Sequence, residues 1–155
     1  MSIREAGIAV IARRPDIDQR SRFDDKGSMD ERPFRFDHDM PNRFVRVEFN
    51  GFWTHATIDA FKVRAGEIVQ NAINDGARPG QSRILVVARN FPVQEKKLTR
   101  ELGEFMPMYS MLAKRFAIVS SDSAIQRLQI KRLTSPDNCQ IFLDEAEART
   151  WLFAI

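Results

Sequence analysis

Five consecutive apolar residues, Ile84-Leu85-Val86-Val87-Ala88, constrain this chain more than any other stretch. A strand with one wet face alternates polar and apolar residues. A run of β-formers without alternation predicts a strand covered on both faces. The segments on either side carry helical patterns, and strands alternating with such patterns belong to βαβ units built on a parallel sheet. At 155 residues the chain suits one domain, of a size that buries roughly 70% of its unfolded surface. Such a core holds without a disulfide or a structural metal.

Ahead of this strand the chain changes character. Residues 13–43 hold eight basic and eight acidic residues, punctuated by Pro15, Pro33 and Pro41. Segments of this composition bury little. Residues 1–42 therefore read as a charged N-terminal arm and residues 43–155 as the α/β domain. Within the arm, Ile8–Ala12 fits a short strand or a helix turn. Phe34 and Phe36 alternate with charge, which marks Pro33–His38 as an edge strand.

Arg43–Trp53 alternates as a strand, and Asn50-Gly51 either turns a hairpin or kinks a strand that runs on to Trp53. The kink is preferred, because Thr54 offers an N-cap for a helix reaching about Asp75. Ile58, Phe61, Ala65, Ile68, Val69 and Ala72 form its stripe, and Gly76 stops it. Pro92 is expected to open the next helix, with Leu98, Leu102, Phe105, Tyr109 and Leu112 inward. Pro107 should kink or end that helix near Met106. Arg115–Ser120 is the next strand. Ser121 or Asp122 should cap a third helix, packing Ile125, Leu128 and Leu133. Gln140–Leu143 is the last strand. Asp144 then caps a final helix, with Glu147 at capping-box spacing and Ala148, Trp151 and Leu152 inward.

Charge and cysteine content narrow the function. Lys and Arg number 24 against 21 Asp and Glu, a net charge of +3 with the signs interspersed. No nucleic acid is expected as a partner. The single Cys139 forms no internal disulfide, which fits a reducing compartment and makes the cytoplasm the expected location. No apolar run approaches the roughly 18 residues of a spanning helix.

Several stretches resemble a known family: G-F-W-T at Gly51–Thr54, I-L-V-V-A-R-N-F at Ile84–Phe91, K-R-F-A-I-V-S at Lys114–Ser120 and D-E-A-E-A-R-T-W-L at Asp144–Leu152. Over residues 43–153 the chain is similar to the SpoIIAA-like group, bacterial relatives of the STAS (sulfate transporter and anti-sigma-factor antagonist) domain. The resemblance implies an α/β fold with a mixed, mainly parallel five-stranded sheet flanked by helices. It also implies a non-enzymatic regulatory or protein-interaction module, often a homodimer. Antagonists of this type carry a phosphorylatable serine where the helix after the central strand begins. Here that place reads Asn90-Phe91-Pro92-Val93-Gln94, with no hydroxyl, so no phosphoacceptor serine is expected. The group shares its architecture with lipid-binding CRAL-TRIO proteins, which keeps a small apolar, lipid-like ligand as the alternative.

Candidate site residues follow from the parallel sheet, whose ligands bind at the carboxyl ends of strands. Thr54, His55, Arg89, Asn90, Ser121 and Ser123 should gather there, where helix N–H groups and Arg89 suit an anion. Helix capping alone also explains Thr54 and Ser121. An apolar pocket would draw on Trp53, Phe91, Met106, Met108, Tyr109 and Met111; core filling explains the methionines as well. His55 becomes a base only if an Asp or Glu orients it at a cleft. In Asp37-His38-Asp39, strand alternation sends His38 away from both carboxylates. No catalytic residue, metal or cofactor is assigned.

Overall fold

A computed structural model describes residues 32–133 and 137–154. The readings of Ile8–Ala12 and of the arm before Arg32 lie outside these residues. Five strands and four helices follow in the order β1 (Phe34–Asp39), β2 (Phe44–Asn50), α1 (His55–Asn74), β3 (Ser82–Asn90), α2 (Lys96–Leu112), β4 (Ala113–Val119), α3 (Ala124–Lys131), β5 (Cys139–Phe142) and α4 (Glu145–Phe153). They form one sheet in the spatial order β1-β2-β3-β4-β5. Only β1 runs antiparallel to its neighbour; the other pairs are parallel. The fold is thus α/β with a mixed, mainly parallel sheet, and Ile84–Ala88 lies in its middle strand.

Each crossover steps to the next strand in the same direction. Right-handed crossovers stepping one way place their helices on a single face. Accordingly α1, α2 and α3 share one core with Val47, Val86, Ala88, Phe116 and Ile118. No strand follows α4, so it is released from this rule and packs on the opposite face over Leu85, Val87, Ala117 and Val119. Successive residues of β3 feed alternate cores, which is why its apolar run does not alternate. Among the described residues, no helix is long and apolar enough to cross a membrane.

Local chemistry sets several boundaries. Between Glu48 and Asn50 the register of β2 against β3 shifts, and β2 ends at Asn50. The strand stops there instead of running on to Trp53, and Gly51 takes a positive φ of 70° that its missing Cβ permits. No hairpin forms. Thr54 caps α1 through a reciprocal pair with Thr57. Gly76, with φ of 92°, follows the C-cap Asp75.

Three helix readings are corrected or narrowed. Pro92 does not open α2, which starts at Lys96, because the intervening chain is drawn into hydrogen bonds by Gln94. Of the two outcomes expected at Pro107, a kink or an end, the end does not occur, since α2 continues to Leu112. Burial of Leu102, Phe105 and Met106 before it and Ser110 after it holds both halves to the core. The cap of α3 is Ser123 rather than Ser121 or Asp122. That helix turns Gln126 and Ile130 inward while Ile125 and Leu128 are exposed.

On the α4 side of the sheet Phe44 of β2 packs on Phe153, while Arg46 further along the strand is covered by charge. Arg46 donates from Nε to Glu145 Oε2 at 2.8 Å and from Nη2 to Glu145 Oε1 at 3.1 Å. Nη2 also donates to Glu48 at 3.0 Å. Arg149 reaches the same Glu145 at 3.1 Å. The bidentate Arg46 bond, opposed by desolvation and aided by Arg149, holds the Glu145 carboxyl below the usual carboxylate range, and Arg46 is raised in turn. A depressed carboxylate stabilises the fold above its unfolded pKa near 4.3 and loses that contribution as pH falls through the folded value. Glu145→Gln should therefore cost about 1–2 kcal/mol at neutral pH and markedly less near pH 3. Urea denaturation at both pH values checks this; equal losses would assign the effect to packing instead.

Candidate functional site: the carboxyl edge of the sheet

Four connections meet at the carboxyl ends of β2, β3, β4 and β5, and buried glutamines tie three of them together. The Trp53 N–H donates to Gln94 Oε1 at 2.8 Å, while Gln94 Nε2 donates to Gly51 O at 3.2 Å and Pro92 O at 2.7 Å. Gln126 Oε1 accepts from the Ser121 N–H and hydroxyl, both at 2.7 Å. Its Nε2 donates to Ala88 O at 2.6 Å and to Phe91 O. Gln129 Oε1 accepts from the Gln94 N–H at 3.1 Å, and its Nε2 donates to Gln94 O and to Thr99 Oγ1. A primary amide offers two donors and an acceptor oxygen with two lone pairs, so Gln94 and Gln126 each satisfy groups of two connections, while Gln129 ties α3 to Gln94 and Thr99. Backbone groups that would otherwise greet a ligand are spent internally.

The sequence-derived anion set is placed as follows. Thr54 and Ser123 cap α1 and α3. Ser121 is held by Gln126. The Asn90 carbonyl accepts from the Gly51 N–H at 2.8 Å. Arg89 donates to Leu143 O at 3.1 Å, toward the β5–α4 connection. Thr54, Ser121, Ser123 and Arg89 each have an internal side-chain partner, and Asn90 has one through its backbone carbonyl.

His55 is not alone. Its Nδ1 lies 2.6 Å from Glu101 Oε1 on α2, and its Nε2 lies 3.3 Å from Asp59 Oδ2 one turn along α1. The orienting carboxylate is present, yet the ring is exposed and both nitrogens face carboxylates. A general base needs a nitrogen directed at the reacting group. This arrangement instead staples the first turn of α1 to α2. Glu101 comes from 46 residues along the chain, beyond any local motif.

The apolar set divides. Trp53, Phe91 and Met106 are buried. Trp53 packs on Phe49, Phe61 and Phe91 with ring centroids 4.6, 5.4 and 5.2 Å away. Tyr109 is half-buried against Phe61 and Phe105, and burial pushes its phenol above the ordinary value. Met108 and Met111 are exposed. Trp53, Phe91 and Met106 thus belong to the core, while Met108 and Met111 lie on the outer surface of α2. Asp37 approaches Arg35 and Arg46, Asp39 bonds Asn42, and His38 is exposed. Among the described residues, no group of three His, Cys, Asp or Glu could hold a metal ion.

Sequence reasoning missed a rim above the glutamines. Phe52, Val93 and Leu143, from three of the connections, and Ile125, from the first turn of α3, are between 40% and 75% exposed. Strand order strings them along the edge. The only available signal was a mismatch: Phe52 beside a buried Trp53, and an isoleucine one residue before the inward Gln126.

By sequence the chain matches no protein-family model and no curated protein. Among solved structures, it superposes on the crystal structure of an uncharacterized DUF3478-family protein from Shewanella loihica PV-4, described as having a SpoIIAA-like fold. The TM-score is 0.56 at 13% identity, over 77% of this chain and 91% of the other. The fold is SpoIIAA-like. In this SpoIIAA-like domain the helix after the central strand has Glu95 at its N-cap, without a side-chain cap bond. The first hydroxyl of that helix, Thr99, donates to the Glu95 carbonyl at 3.1 Å.

Proposed function

We propose that this chain is a non-enzymatic regulatory module that binds another protein through the carboxyl edge of its sheet. The observation supporting this reading is the apolar rim of Phe52, Val93, Ile125 and Leu143 over a floor sealed by Gln94, Gln126 and Gln129. Small-molecule and catalytic sites are concave, with polar groups converging on a substrate. Here the polar groups converge on one another and the apolar side chains point out, an arrangement suited to a partner surface. A lipid-like ligand would have to displace close-packed Trp53 and Phe91, so the protein-binding reading is preferred. The lone cysteine suits the cytoplasm as the place of action.

The test is affinity capture with wild type and with Phe52→Asp/Leu143→Asp, a pair whose side chains are exposed and whose loss should leave the fold intact. A partner held by wild type should be lost, with binding weakened at least about tenfold. A partner retained equally by both proteins, or none captured by wild type, removes the reading.

A further inference from the structure

β1 is an edge strand whose hydrogen-bonding phase can be read directly. Asn50 N–H donates to Pro33 O at 2.8 Å, and the register pairs Phe34 with Phe49 and Arg35 with Glu48. Antiparallel hydrogen-bonded pairs alternate. The backbone groups of Arg35, Asp37 and Asp39 thus serve β2, while those of Phe34, Phe36 and His38 face outward. Among the described residues no strand lies against that outer side.

The side chains of this strand are self-complementary. Phe34, Phe36 and His38 share the face of α1–α3, and both phenylalanines are half-buried against its core. Arg35 and Asp37 share the face of α4. Two copies of β1 paired antiparallel about a two-fold axis at Phe36 set Arg35 opposite Asp37 of the second copy, and the reverse. The same register sets Phe36 against Phe36 and Phe34 against His38. Outward backbone groups then meet outward backbone groups, forming about six hydrogen bonds. Sliding one way puts Arg35 opposite Arg35; sliding the other way puts Asp37 opposite Asp37. Like charges directly opposite destabilise a strand pair, so one register is selected. Within the chain, Asp37 is 3.4 Å from Arg35 and 3.8 Å from Arg46, yet stays 57% exposed, leaving room for a second guanidinium.

We propose that β1 binds a second copy of this chain, edge to edge, in the register centred on Phe36, joining two five-stranded sheets into one. This goes beyond the carboxyl-edge reading and is independent of it, since Phe52 and Leu143 take no part. Sedimentation of the full-length chain over a concentration series should show a reversible dimer. Arg35→Asp or Asp37→Arg alone creates like-charge pairs and should raise the dimer dissociation constant at least about tenfold. Mixing the two variants restores opposite charges at both positions and should restore the dimer. His38→Pro removes an outward N–H at an exposed edge position, where proline is tolerated, and should weaken the dimer without unfolding the chain. A wild-type monomer throughout, a dimer indifferent to these variants, or no recovery on mixing overturns the proposal.

Discussion

Val86→Asp should yield no soluble, folded protein. Val86 is 3% exposed and sits level with Val47 on β2 and Ile118 on β4, all three facing the layer of α1–α3. Burying a valine of this kind contributes roughly 1.5–3 kcal/mol. A carboxylate at the same place forfeits that and adds several kcal/mol for a charge buried among apolar side chains. Against a total stability of roughly 5–15 kcal/mol, the sum leaves no folded state. Val86→Ala, which only removes methyl groups, should stay folded with a loss of about 1–3 kcal/mol. Circular dichroism and thermal melts of the soluble fractions decide it. A cooperative melt of Val86→Asp within a few degrees of wild type would refute the placement of β3 in the core.

Gln126→Leu should cost about 3–5 kcal/mol, the next largest loss. The leucine matches the amide in bulk but leaves the Phe91 carbonyl and the Ser121 N–H without the partner they now have, and the Ala88 carbonyl with the Phe91 N–H alone. Each buried group left unpaired costs about 1–3 kcal/mol. Leu128→Gln, two residues on and exposed, should change stability by about 0.5 kcal/mol or less. Periodicity in the sequence ranks these two in the opposite order, with Leu128 inward and Gln126 on the wet face. Chemical denaturation of both variants separates the two rankings. A Gln126→Leu protein as stable as wild type would show that the glutamine links are dispensable.

The strands were legible because burial on two faces leaves an unmistakable trace: Ile84–Ala88 and Phe116–Val119 show no polar residue at all. The cap at Thr54, the stop at Gly76 and the cap at Asp144 were legible because their chemistry is confined to neighbours within a turn. Pro92 misled, and at Pro107 the helix did not end, since a local preference of a few kcal/mol competes with packing it cannot sense. At Pro107 the core on either side prevailed. After Pro92 the glutamine bonds did.

Sequence order and residue type were enough to set a sheet with β3 at its centre, because apolar periodicity is a local record of which faces are dry. The placing of Gln94, Gln126 and Gln129, the Glu101 beside His55 and the Glu145 beneath Arg46 followed from the crossovers, which bring residues 35, 46 and 99 positions apart into hydrogen-bond range. A polar residue looks the same in a sequence whether it meets water or a distant carbonyl. Only the folded chain distinguishes them, by removing the water.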